Sequence, residues 1–100
     1  MKNEDMAETA LIKLFGSTSR VRILSLLLKN PGSSFYQREI MYETGVSLQA
    51  AQRELGNLVE LGMVTRDEEG GRVYYRVNRD SPFVEPLNGI WESMAKQERR

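Results

Sequence analysis

QREIMYETGVSLQAAQRELGNLVEL, residues Gln37–Leu61, reads as a short helix, a tight turn and a second helix. In the second, running from Ser47 to Leu61, Leu48, Ala51, Leu55, Leu58 and Val59 recur at the spacing of one continuous buried stripe. The opposite side carries Gln49, Ala50, Arg53 and Asn57, with Glu60 further along. Amide and guanidinium groups offer the flat, bidentate hydrogen-bond geometry that base edges present in a DNA major groove, and an alanine can meet a thymine methyl. A helix anchored on one face and furnished this way on the other suits a helix-turn-helix reader. Gln52 stands nearer the apolar stripe and belongs to both faces.

Turn chemistry supports these boundaries. In Thr44-Gly45-Val46-Ser47, Gly45 suits a left-handed backbone, Val46 plugs the angle between the helices and Ser47 caps the second. Ala50 stands where Glu or Gln would complete a capping box, so half of one is present. Upstream, Met6, Ala7, Ala10, Leu11, Leu14 and Phe15 repeat at helical spacing and Gly16 ends that helix, with residues up to about Asp5 expected to fray. Ser17 caps the next helix, whose buried side is Val21, Ile23, Leu24, Leu27 and Leu28, and Asn30-Pro31-Gly32 stops it. Ser34-Phe35-Tyr36 is expected as a short strand, and Ile40 to point inward.

Downstream of Leu61-Gly62, the β-type runs Met63–Arg66 and Arg72–Val77 flank Asp67–Gly71, with Glu69-Gly70-Gly71 as a hairpin turn. Val73, Tyr75 and Val77 alternate to one side, leaving Tyr74 and Arg76 on the other. Pro86 suits the first turn of a last helix, along which Leu87, Ile90, Trp91 and Met94 form a stripe, and KQERR is expected as a solvated tail. The element order is α-α-β-α-α-β-β-α. It describes a mainly α chain with a small β-hairpin wing, an α+β winged helix-turn-helix in one domain over residues 1–100. The helix-turn-helix occupies 37–61 and the wing 63–77, between flanking helices at about 6–16 and 86–97.

Composition excludes several function classes. With no Cys and no His in 100 residues, disulfides, the usual zinc sites, thiol redox sensing and nucleophile–imidazole pairs are ruled out. No apolar run is long enough to span a membrane, and MKNEDMAET lacks the apolar core of a secretory signal, so a cytoplasmic location is expected. Asp67, Glu68 and Glu69 sit consecutively on a hairpin tip and do not converge as cation ligands or as an acid–base pair. An enzyme, a metal site and a cofactor are therefore not expected. Net charge is zero, with 14 basic and 14 acidic residues, so whole-chain attraction to nucleic acid is weak. The charge is nonetheless uneven: Ser17–Ile40 holds Arg20, Arg22, Lys29 and Arg38 against Glu39 alone, whereas Met41–Glu60 holds Arg53 against Glu43, Glu54 and Glu60.

The segment FGSTSRVRIL, Phe15–Leu24, resembles the opening signature of ArsR-type bacterial repressors. Gln52-Arg53-Glu54-Leu55, Leu61-Gly62-Met63-Val64 and Gly71-Arg72-Val73-Tyr74-Tyr75-Arg76-Val77 continue the likeness through recognition helix and wing, over roughly nine-tenths of the chain. The likeness is strongest to a subgroup found fused or adjacent to small nucleotidyltransferase domains, although Gly16-Ser17 is not followed by the Asp-x-Asp pair that binds the metal of such domains. The resemblance implies a homodimeric repressor of a palindromic operator in double-stranded DNA. It also implies a twofold interface built from the first and last helices, here Leu11, Leu14, Phe15, Leu87, Ile90, Trp91 and Met94. Soft-metal sensing, the usual mode of ArsR-type sensors, is excluded by the missing Cys and His, leaving a small-molecule effector, a protein effector or none.

The expected DNA contacts are Gln49, Ala50, Gln52, Arg53 and Asn57 at base edges, with Ser47, Gln37 and Arg38 on phosphates. On the wing, Arg72, Tyr74 and Arg76 are the expected DNA contacts, Arg72 and Tyr74 on the minor-groove backbone while the acids pair locally with arginines; the alternative is a solvated hairpin tip that never meets DNA. Arg20 is expected in a structural pair with an acid. A competing reading is a protein-interaction winged helix, an adaptor or antitoxin-like partner of a nucleotidyltransferase, favoured by the neutral charge and the acidic wing.

Overall fold

Short polar residues close each helix that positions the reading head. Ser17 is extended and its Oγ accepts from the Arg20 N–H at 3.1 Å. Asn30 ends the same helix, its Nδ2 donating to the Leu26 carbonyl at 2.8 Å. Gly45 takes φ +75, where a Cβ would be strained, and its N–H returns to the Met41 carbonyl at 2.8 Å. Ser47 Oγ then accepts from the Ala50 N–H at 3.1 Å, the half capping box expected from the residue types.

The computed structural model describes the backbone of residues 3–98 and side chains over 6–97. Its elements are α1 (Asn3–Phe15), α2 (Thr18–Lys29), β1 (Phe35–Tyr36), α3 (Gln37–Thr44), α4 (Leu48–Glu60), β2 (Val64–Glu69), β3 (Arg72–Val77) and α5 (Val84–Glu98). This is the winged helix-turn-helix order expected, with one antiparallel sheet in the order β1-β3-β2. Ile23, Leu24, Leu27 and Leu28 of α2 meet Ile40, Val46, Ala51, Leu55, Leu58, Met63, Val64 and Val77 in one core. Helix α2 is thus the keel on which the helix-turn-helix and the wing both rest.

Several boundaries differ from expectation. Helix α1 already includes Asn3–Asp5, ahead of the expected Met6, because apolar spacing marks packed turns and not a solvated one. Strand β1 has two residues, Phe35 and Tyr36, paired with Tyr75 and Tyr74. Strand β2 continues through Asp67 and Glu68 to Glu69, which pairs with Arg72. Gly70 (φ +59) and Gly71 (φ +77) make the whole reversal in two residues, as a right-twisted hairpin prefers, so the acids belong to a strand and not to a tip loop. Helix α5 begins at Val84, keeping Pro86 in the first turn where no N–H is needed. Lys96 and Gln97, expected in a tail, are exposed on α5, while Met1, Lys2, Arg99 and Arg100 lie outside the described residues.

Helices α1 and α5 pack on each other and lie back on α2. Trp91 Nε1 donates to Ser25 Oγ at 2.8 Å, and the Trp91 ring lies 5.6 Å from that of Phe15. Arg22 pairs with Glu8 at 3.0 Å, tying α2 to α1. Among the described residues no helix is long and apolar enough to cross a membrane.

Candidate nucleic-acid interface

On α4 the exposed residues Gln49, Gln52, Arg53, Gly56 and Glu60 follow helical spacing and form one outward stripe. Gln52, which the sequence left between faces, lies within it. Two expectations fail here. Ala50 is only 8% exposed and joins the core, so it cannot meet a thymine methyl; one step of 100° beyond Gln49 carries it to the packed flank. Leu48 is 49% exposed, because the first turn of α4 overhangs the edge of the core. Asn57 is exposed on the third turn but sits at the mouth of an apolar groove with Arg20 and Leu24, off the centre of the stripe.

Behind the stripe lies an arrangement the sequence did not disclose. Glu54 is 2% exposed, and its carboxylate accepts from Arg20 Nε at 2.8 Å and from Arg20 Nη2 at 3.5 Å. Arg53 Nε adds a third bond at 3.3 Å. Arg20 therefore has the acidic partner expected of it, 34 residues away. Glu54 does not face DNA as a repelling charge: it neutralises Arg20 inside and anchors Arg53 by its Nε, leaving the exposed end of that guanidinium to outside acceptors.

The wing contributes a second cluster. Arg72, Tyr74 and Arg76 share one face of β3, and strand pairing brings Tyr36 of β1 opposite Tyr74. Arg72 Nη1 donates to Tyr36 Oη at 2.8 Å, and the two tyrosine hydroxyls lie 3.1 Å apart with ring centroids separated by 4.7 Å. The hydroxyl bond with Tyr74 and the adjacent Arg72 lower the Tyr36 pKa below the usual phenol value; the same hydroxyl bond raises that of Tyr74. Either hydroxyl can serve as the donor. Arg76 instead pairs with Asp67 across the hairpin at 3.8 Å, so the acids answer one wing arginine and not the other.

Helix α3 lies between the two clusters. Arg38 is exposed in its first turn, Gln37 is half-buried, and the Glu39 carboxylate is committed to the Tyr36 N–H at 2.8 Å. Tyr36 was missed in the sequence because a two-residue strand has no periodicity to reveal its partner.

The expected interface set divides. Leu11 is 3% exposed and is core, since α1 lays that face on its neighbours. Leu14 is 57% exposed, while Phe15, Leu87, Ile90, Trp91 and Met94 are half-buried. Phe15, Leu87 and Ile90 also line a groove of about 570 Å³, whose rim includes the exposed Leu61 and Phe83.

A reading helix seated on a buried core, with a wing and a neighbouring helix presenting cations, defines a winged-helix DNA-binding transcriptional regulator. Residues 17–72, more than half of the chain, match the model of the MarR family, and the chain belongs to that family. No curated protein sequence matches it. Among solved structures it is similar to the ST1889 protein of the thermoacidophilic archaeon Sulfolobus tokodaii, at 19% identity over 99% of this chain and 96% of that one, with a TM-score of 0.60. It is also similar to a predicted DNA-binding transcriptional regulator from E. coli, at 22% identity over 82% and 86% of the two chains, TM-score 0.58. Sso10a-2, a DNA-binding protein from Sulfolobus solfataricus, aligns at 21% identity over 78% and 86%, TM-score 0.53. At these identities the likeness is one of fold. The matching family model is MarR rather than the ArsR type that Phe15–Leu24 resembles, and both lead to a winged-helix regulator.

Proposed function

We propose that this chain is a homodimeric, sequence-specific repressor that occupies a palindromic operator. The observation carrying this reading is the exposed Gln49, Gln52 and Arg53 stripe on a helix whose opposite side is packed into the core by Ala51, Leu55 and Leu58. Gln reads adenine and Arg reads guanine through paired hydrogen bonds in the major groove. Two copies would place two reading helices in successive major grooves about one helical turn apart. The likeness to ArsR-type repressors supports repression by steric occlusion of a promoter, and a promoter-bound regulator works in the cytoplasm. A chain without Cys or His works either without an effector or with a small molecule or protein partner acting through the angle between the two heads at α1 and α5.

Titration of the protein against its own upstream DNA at two salt concentrations tests this. Tight binding that weakens steeply as salt rises is expected, because the phosphate contribution is counterion release. No binding to any duplex at low salt would sink it and favour the second reading, a protein-interaction adaptor or antitoxin-like partner. That reading draws on the exposed Asp67, Glu68 and Glu69 of β2 and on the zero net charge.

The twofold interface is best assigned to Leu14 and the half-buried faces of Phe15, Ile90 and Met94. Leu14→Glu is expected to sediment at the monomer mass with an unchanged circular dichroism spectrum, because an exposed leucine contributes little to its own fold. A stable dimer of this variant would move the interface elsewhere.

A further inference from the structure

Arg72 lies opposite Glu69 in the hairpin register, yet its guanidinium turns the other way, across β3, to Tyr36. There it shares a surface cleft of about 290 Å³ with Arg38, Tyr36 and Val73. Among the described residues neither Arg38 nor Arg72 forms an ion pair with a carboxylate, and the nearby Glu39 spends an oxygen on the Tyr36 N–H. The cleft thus holds two guanidiniums that no carboxylate pairs directly, with the Glu39 charge held beside Tyr36 by its backbone N–H. Its tyrosines supply one further donor. Two hydroxyls 3.1 Å apart carry two protons and use only one between them, so one O–H remains for an outside acceptor. With Arg72 also donating to Tyr36 Oη, that hydroxyl group is polarised toward donation.

We propose that Tyr36, Arg38 and Arg72 form a single seat for one backbone phosphodiester of duplex DNA, joining α3 to the wing. Two guanidiniums and a phenol donor fit a tetrahedral, singly charged group with two free oxygens. The seat rests on the DNA-binding reading above. It gives the wing a positioning role, in which Arg72 is held back toward α3 and fixes the register of α4 in the groove. Asp67 and Glu69 of β2 stand opposite Tyr74 and Arg72 on the same face of the sheet, Asp67 being paired with Arg76, so the phosphate would sit on the β1 and α3 side of Arg72, where Arg38 adds the second cation.

The probe is a set of operator duplexes in which one phosphate at a time is replaced by a neutral methylphosphonate. One position is expected to weaken the wild type roughly tenfold, the size of a charge-assisted hydrogen-bond cluster on a phosphate. Tyr36→Phe, which keeps the ring stack on Tyr74, and Arg72→Gln should bind natural DNA correspondingly less well and lose nothing further at that position. Arg72→Gln should also lower the slope of log K against log salt by about one, with the same proportional loss on every sequence. If both variants bind as tightly as wild type, the seat is wrong and the DNA-binding reading stands. If either changes base preference, the cleft reads bases and the proposal fails. A wild type that binds no duplex at low salt overturns the seat and the DNA-binding reading together.

Discussion

Arg20→Met is expected to lower the free energy of unfolding by about 3 kcal/mol, read as a lower denaturant midpoint at unchanged slope. The cause is the carboxylate left behind. Glu54 is 2% exposed and takes two of its three hydrogen bonds from Arg20. Without them it keeps only the Arg53 Nε bond, at 3.3 Å and from an exposed side chain. Breaking a buried pair by removing one partner costs about 3–5 kcal/mol. The lower end applies here, because Arg20 is itself partly solvated and Arg53 remains. The double variant Arg20→Met with Glu54→Met removes both charges and should recover most of the loss. A double variant no more stable than Arg20→Met alone would show that packing, and not the stranded charge, sets the cost.

Arg53→Ala should do the reverse, sparing stability and removing recognition. Its side chain is exposed, and Glu54 keeps both bonds from Arg20 when Arg53 is cut back, so the melting temperature should hardly move. A bidentate contact to a base is worth about 1–3 kcal/mol, and a dimer makes it twice, so operator affinity should fall by roughly a hundredfold or more. Binding to unrelated DNA at low salt should persist, because the phosphate contacts are untouched. Equal affinity of variant and wild type for the operator would remove Arg53 from the reading face. The two arginines on Glu54 are therefore expected to separate by experiment, the inner one through stability and the outer one through operator affinity.

Most of the fold was legible because local chemistry set the element ends. Ser17, Gly45, Ser47 and the Gly70-Gly71 pair each perform the turn or cap read from their type, and α3 runs over Gln37–Thr44 as expected. The site was legible in part. Gln49, Gln52 and Arg53 stand outward as a helical period requires, whereas Ala50 and Leu11 were assigned to surfaces and are buried. Small or terminal positions on a helix fail this way: an alanine fits either face, and which flank of α1 is covered depends on α5 and α2, far away in sequence.

What the sequence determined by itself was the set of interactions with short reach: caps, turns, the apolar stripes of α2 and α4, and the order that makes a winged helix-turn-helix. Charge counting, by contrast, entered Glu54 only as one of three acids against Arg53, and nothing in the spacing joined Tyr36 to Arg72. Only the tertiary structure decided those. Packing α4 on α2 buries Glu54 against Arg20, and pairing β1 with β3 delivers Tyr36 to the wing. The reason is physical: an electrostatic partnership depends on distance and solvent exclusion, and both are set by elements brought together across 34 to 38 residues of chain.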